Sequence, residues 1–242
     1  MADALFEDPR LAELYDELDR DRADLEAYAE IIVELAARSV LDVGCGTGTF
    51  ACMLAARGLD VIGVDPAAAS LDVARRKRFA DKVRWILGDA AALPELQVDA
   101  VTMTGNVAQV FVEDHLWLET LGSVRAALRP SGHFVFESRV PEDRAWLRWD
   151  RTNAVARAQV KGLGAVESWP EVTEVTDTTV TFTTTFSFEK ERPRFSQSTL
   201  RFRSVPEIRA SLEQAALRIV EIRDAPDRPG REHVFVAVRS DG

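Results

Sequence analysis

Polar and apolar positions along the chain fall into two regimes that meet near residue 138. In the first, short apolar runs alternate with helical periods. Leu11, Leu14 and Leu18, then Leu25, Tyr28, Ile32 and Leu35, recur every three or four residues, which predicts helix over 10–37 with a charged break at 19–24. Mainly apolar runs follow at 39–43, 60–64, 82–87, 98–103 and 133–137. Continuous runs of that length suit strands buried on both faces. Helical patterns lie between them at 48–57, closed by Gly58, from Pro66 to about Phe79, and at 113–128, where Trp117, Leu121, Val124 and Leu128 share a face. A short Ala/Leu stretch precedes Pro94, and 130–132 reads as a turn. Strands alternating with helices at this spacing predict an α/β fold with a parallel, doubly wound sheet.

The second regime has a different period. Residues 139–153 are rich in Arg and Trp, and 154–204 show no helical repeat. Over 179–188, Val180, Phe182, Phe186 and Phe188 point one way and Thr179, Thr181, Thr183, Thr185 and Ser187 the other. That alternation predicts a half-buried strand of an antiparallel sheet. Segments 165–175 and 198–204 are its expected partners, with turns near 177–178 and 190–193. Helix returns at 206–217, and strands at 218–223 and 233–239 close the chain. The expected layout is one domain over 1–242. It comprises N-terminal helices at 1–38, a core at 39–138, an antiparallel insertion at 139–205 that covers substrate or joins two copies, and closing elements at 206–242.

Composition narrows the function classes. With 242 residues, 46% hydrophobic and 29% charged, this is an ordinary globular chain. Thirty basic against 40 acidic residues, net −10, argue against nucleic acid as partner. The run Arg75-Arg76-Lys77-Arg78 reads better as a helix end than as a basic patch. No apolar run is long enough to span a bilayer, and the acidic N-terminus lacks a signal core, so the expected location is cytoplasmic. Cys45 and Cys52 alone do not make a disulfide framework or structural zinc, and no metal is expected.

Chemistry concentrates where the predicted strands end. In open α/β sheets, ligands bind at the carboxyl ends of the strands. Those ends carry Gly44-Cys45-Gly46-Thr47-Gly48, Asp65-Pro66, Gly88-Asp89-Ala90, Thr104-Gly105-Asn106 and Glu137-Ser138-Arg139. Glycines allow a sharp turn and close approach of a ligand to backbone. Asp65, 21 residues after Gly44, suits the hydroxyls of a ribose, and equally suits a helix N-cap. A dinucleotide fingerprint fails from Gly44, because position 49 is threonine, and fits only from Gly46, two residues beyond the strand. No Walker lysine follows.

Leu41-Asp42-Val43-Gly44-Cys45-Gly46-Thr47-Gly48 resembles the first motif of class I S-adenosylmethionine-dependent methyltransferases of small-molecule type. Asp65 matches that family's ribose-binding acid, Gly88-Asp89-Ala90 its adenine-binding motif and Thr104–Asn106 its fourth motif. The resemblance is good over 25–138. It implies a Rossmann-like seven-stranded sheet with its last strand antiparallel, and here an added antiparallel β extension. It also implies S-adenosyl-L-methionine as cofactor and methyl transfer to nitrogen or oxygen of a small molecule by in-line displacement. The implied cofactor set is Tyr15, Asp42, Gly44, Cys45, Gly46, Gly48, Asp65, Pro66, Gly88, Asp89, Ala90, Thr104, Gly105, Asn106 and Gln109. Tyr15 with Asp16 resembles a pair on the family's N-terminal helix, and a core tyrosine is the plainer reading. Tyr15, Asn106, Arg139, Trp146 and Trp149 are the substrate candidates. The tryptophans, with Trp169, are either a pocket wall for an aromatic or amine acceptor or packing for the antiparallel block. Glu137 and His115 are the candidate catalytic residues, with the need for a general base left open, whereas His133 and His233 read as structural. A homodimer remains open. So do two alternative classes, an NAD(P)-dependent oxidoreductase and a non-catalytic cofactor-binding module.

Overall fold

The structure is a computed structural model that describes residues 3–90 and 93–240. The stretch before Pro94 includes positions 91–92, which lie outside the described residues. Seven strands form the main sheet: β1 (Ser39–Val43), β2 (Asp60–Asp65), β3 (Val83–Leu87), β4 (Val98–Met103), β5 (Leu128–Arg139), β10 (Leu217–Asp224) and β11 (Glu232–Arg239). Their order is β3-β2-β1-β4-β5-β11-β10. The first five are parallel, and β11 runs antiparallel to both β5 and β10. The expected sheet with an inserted antiparallel last strand is therefore present. The chain reverses direction across the sheet between β1 and β4, and that break defines the switch point.

Helices cover both faces. On one face α3 (Asp24–Glu34) and α4 (Thr49–Ala56) bury Leu25, Tyr28, Ile32, Phe50 and Leu54 against Val40, Val61 and Val135. On the other face α6 (Asp114–Ala127) and α7 (Val205–Gln214) pack on an aromatic stack. There Phe134, Phe136 and Phe235 lie with centroids 4.6 and 5.0 Å apart, and Trp117 meets Phe136 edge-on. The indole N–H of Trp117 donates to Ser211 Oγ at 2.9 Å, so its one polar atom is satisfied inside the core. A capping box between Ser204 and Glu207 starts α7.

A second, antiparallel sheet is built from β6 (Ala156–Val160), β7 (Gly164–Val175), β8 (Thr179–Phe188) and β9 (Arg194–Arg201). β6 had no clear signal in the sequence. β9 starts four residues before the expected 198 and ends at Arg201 instead of 204, because Phe202 leaves the strand to pack on Trp146 and Ser204 turns to cap α7. The apolar face of β8 is shared. Phe186 and Phe188 pack with Leu11 and Leu14 of α2 (Pro9–Leu18), and Val180 and Phe182 pack with Trp146 and Trp149. A short helix, α1 (Ala4–Glu7), was not expected from the pattern. It is tied to β9, where the N–H of Leu5 donates to Ser196 Oγ at 2.8 Å and Ser198 Oγ donates to Asp3. The N-terminal helices thus lie between the second sheet and the β1–β2 side of the first.

Two boundaries differ near the sheet edge. α5 (Ala68–Ala74) begins after Pro66 and not at it, because the Asp65 carboxylate takes the N–H of Ala67 in a local turn. It ends before the expected Phe79, which adopts φ +69°.

Candidate active site

One half of the site is a backbone device. β1 is buried from Val40 to Val43, and the chain then turns through Gly44, Gly46 and Gly48 with φ of +71°, +52° and +76°. A Cβ on Gly44 would meet the Val107 methyls at 2.7 Å, and one on Gly48 would meet the Trp85 ring at 2.5 Å. Both positions therefore exclude side chains by conformation and by space. The turn is tied to the end of β2. The N–H groups of Gly44 and Cys45 donate to the Val64 carbonyl at 2.9 and 3.2 Å. The N–H of Gly46 donates to Asp65 Oδ2 at 2.8 Å, while Oδ1 accepts from Ala67 at 2.8 Å. Burial raises the Asp65 pKa, and the two N–H bonds oppose that rise.

Asp42 lies two residues before Gly44. Its Oδ1 accepts the Thr102 hydroxyl at 2.8 Å, whereas Oδ2 is buried with no hydrogen-bond partner. Burial pushes this carboxyl up to about 7. A buried acceptor without a partner calls for an explanation. A cationic amino group brought against Oδ2 would supply one. Beside the turn, burial holds the Cys45 thiol well above the ordinary thiol range, so it is not a reactive thiolate.

The other half is a buried polar network at the ends of β4 and β5 and the start of β11. After β4, Asn106 takes φ +61° and is buried. Its N–H donates to Glu137 Oε1 at 2.9 Å, and the Gly105 N–H points at the same carboxylate. Tyr28, reaching in from α3, donates its hydroxyl to Glu137 Oε2. The Asn106 side chain donates to Glu232 Oε1 at 3.3 Å, leaving Asn106 Oδ1 unpartnered. Since a carboxylate only accepts, that contact fixes the orientation of the amide. Arg139 lies 3.4 Å from Glu232, donates to Gln109 Oε1 at 2.9 Å and sits over the Trp149 ring. Gln109 in turn donates to the Arg201 carbonyl at 3.2 Å. Burial, with Glu232 nearby, pushes Glu137 up to about 7.

Helix α2 closes over the glycine turn. Asp16 Oδ1 accepts the hydroxyls of Thr47 at 2.8 Å and Thr49 at 3.3 Å, and Lys77 Nζ lies 2.6 Å from Asp16 Oδ2. Tyr15, the adjacent residue, is half-buried with its ring 5.8 Å from that of Phe6.

Comparison with known proteins meets this geometry at the same residues. Positions 40–132 match the family model described as methyltransferase domain, from β1 into the first residues of β5. The stretch that carries the glycine turn and the parallel strand ends is thus similar to a methyltransferase domain, as the sequence resemblance implied. A cypemycin N-terminal methyltransferase from Streptomyces sp is 34% identical over 111 residues, 46% of this chain and 45% of that protein. The chain thus matches about half the length of such curated relatives. The CcbJ methyltransferase of Streptomyces caelestis superposes with a TM-score of 0.77 at 24% identity over 96% of both chains. The sugar N-methyltransferase KedS8 of Streptoalloteichus sp superposes with a TM-score of 0.75 at 20% identity, covering 95% of this chain and 92% of that one. These whole-chain superpositions extend the shared fold to the second sheet and the N-terminal helices.

In the structure the expected residues separate into groups. Asp42, Gly44, Cys45, Gly46, Gly48 and Asp65 converge at the ends of β1 and β2. Gly88 joins them through its N–H to the Asp65 carbonyl at 3.0 Å. Asp89 is exposed and Ala90 buried at the end of β3. Thr104, Gly105, Asn106, Gln109 and Arg139 gather on the other side of the switch point. Trp146 and Trp149 are half-buried in the aromatic cluster with Phe182 and Phe202, at 4.7 and 4.8 Å from their nearest rings. Trp169 lies under Arg151 on the other face of the second sheet. His115 is exposed on the first turn of α6. His133 pairs with Ala100, away from the site. His233 pairs with Ser138 and, with Arg139 and Ser204, lines a cavity of about 250 Å³ beside the site edge.

Tyr28, Glu232 and the clasp made by Asp16 were missed in the sequence. The antiparallel direction of β11 brings its first residues, not its last, beside the end of β5. That signal was available for Glu232. Asp16→Ala is expected to loosen α2 from the glycine turn, costing about 1 kcal/mol, or about fivefold in affinity for S-adenosylhomocysteine. Calorimetry, with limited proteolysis of residues 3–18 in parallel, checks this.

Proposed function

We propose that the protein transfers a methyl group from S-adenosylmethionine to a nitrogen or oxygen of a small-molecule acceptor. The observation that carries the reading is the Asp65 carboxylate, which clasps the glycine turn at the switch point and keeps lone pairs for further donors. In this reading Gly44, Gly46 and Gly48 lay the methionine part of the cofactor against backbone. Asp42 Oδ2 faces its ammonium, Asp65 its ribose hydroxyls, and Asp89 with Ala90 its adenine. Once bound, the cofactor supplies a methyl group already activated on a cationic sulfur. The task left to the chain is alignment of the acceptor and exclusion of water. Tyr15, Asn106, Gln109 and Arg139 shape the acceptor side, and α1, α2 and the second sheet cover it. We assign no general base. Glu137 is enclosed by its own donors, and His115 is exposed on α6.

No helix among the described residues is long and apolar enough to cross a membrane. With a net charge of −10, the acceptor is best sought among small molecules of the cytoplasm and not among nucleic acids. The sugar N-methyltransferase among the structural neighbours makes amino sugars the first class to try. Calorimetry with S-adenosylmethionine, S-adenosylhomocysteine and NAD tests the cofactor. Mass spectrometry after incubation with amino sugars, phenols and small amines tests transfer. Heat from NAD alone would replace this reading with an oxidoreductase. Cofactor binding without transfer across the panel would leave a non-catalytic module. Sedimentation at two concentrations tests the homodimer.

A further inference from the structure

Glu137 is a buried, hydrogen-bonded carboxylate of the site edge, yet methyl transfer as proposed gives it no chemical step. Its surroundings describe a different task. The turn after β4 contains a non-glycine residue, Asn106, in the left-handed region at φ +61°. Such a conformation is held by its surroundings. The next residue, Val107, lies where a Cβ on Gly44 would be, 2.7 Å from its methyls. The turn is thus the wall that faces the first glycine of the cofactor loop. What anchors this wall from behind is Glu137, through the N–H of Asn106. Glu137 is fixed in its turn by the Tyr28 hydroxyl from α3.

We propose that Glu137 is a positioning residue. By accepting the Asn106 N–H it holds the turn after β4 against Gly44 and so sets the width of the cofactor cleft. One carbonyl-type oxygen suffices for this. Oε1 accepts the Asn106 N–H while Oε2 faces Tyr28, and glutamine offers the same acceptor with its amide nitrogen toward the tyrosine oxygen. The role is therefore hydrogen-bond acceptance at a fixed place, and charge is not required for it.

The inference rests on the methyltransferase reading, and the probe is S-adenosylhomocysteine, so no acceptor is needed. Titration calorimetry is run on wild type, Glu137→Ala, Glu137→Gln and Glu137→Asp, with melting temperatures alongside. Glu137→Ala is expected to bind about tenfold more weakly, and Glu137→Gln to return to within about threefold of wild type. Glu137→Asp, whose carboxylate is drawn back by one methylene, should resemble alanine and serves if the alanine variant does not fold. Unaltered affinity in the alanine and aspartate variants would overturn the proposal. So would a glutamine variant as weak as they are, because charge would then be the requirement. Failure of wild type to bind S-adenosylhomocysteine would instead overturn the cofactor assignment itself.

Discussion

Asp65→Ala is expected to lower affinity for S-adenosylmethionine by about 100-fold. Both carboxylate oxygens are used in the folded chain, one by Gly46 and one by Ala67. Removing them leaves two N–H groups without acceptors, releases the middle of the glycine turn and takes away the proposed partner of the ribose hydroxyls. Each hydrogen bond to a charged group contributes roughly 1.5–3 kcal/mol, so losing two or more exceeds a tenfold effect comfortably. Asp65→Asn should be nearly as damaging. Both oxygens face donors, and an amide must turn its own NH2 toward one of them. Calorimetry on folded variants, matched by melting temperature, checks the prediction. Binding within about threefold of wild type in the alanine variant would remove Asp65 from the site.

Between pH 5 and pH 8, Glu137→Gln should gain on wild type in stability by roughly 2–3 kcal/mol. The sign follows from proton counts. Burial and Glu232 raise Glu137 from 4.5 to about 7 in the folded chain. Within that window the folded state holds a proton that the unfolded state has released. Its contribution to stability is complete below pH 4.5 and is lost as pH rises through about 7. The groups around it do not cancel the effect. Arg139 and the N–H groups of Asn106 and Gly105 pull the pKa down, but burial and Glu232 prevail. Tyr28 from α3 and Arg228, which donates to Glu232 at 2.7 Å, complete the set facing this carboxylate. Glutamine cannot ionise, so its variant escapes the loss. Asp42, raised from 3.8 to about 7 by burial, adds a slope of the same sign that both proteins share. Urea unfolding at the two pH values measures the difference, and parallel profiles would refute it.

Much of this architecture was legible because the physics behind it is local. Continuous apolar runs marked β1, β2 and β4, and the glycine turn announced a ligand edge through positive φ that other residues resist. The strict alternation over 179–188 found β8 and its apolar face. The displaced elements depend on contacts far along the chain. Phe202 continues the β9 pattern in sequence but turns away because Trp146 and Trp149 are there to receive it. α5 starts late because Asp65 spends an oxygen on Ala67. Site residues divide the same way. Asp65 and Asn106 could be placed from strand ends alone, and Asp42 from the motif that carries the family resemblance. Glu137 was placed correctly at the edge, but its donors from α3 and the turn after β4 were invisible, and so it read as a catalytic candidate. Tyr28 looked like any core tyrosine on an apolar helix face.

The cover over the glycine turn joins distant parts of the chain. Leu5 bonds to Ser196 across 191 positions and Asp3 to Ser198 across 195. Helix α2 reaches the turn from one side and leans on Phe186 and Phe188 from the other. During synthesis, the five parallel strands emerge well before the strands on which this lid rests. A growing chain therefore presents an open, uncovered cleft until β9 has left the ribosome. Non-local closures of this kind form late. The parallel core is the early-assembling unit of the protein, and the finished cleft appears only when both ends of the cover have met.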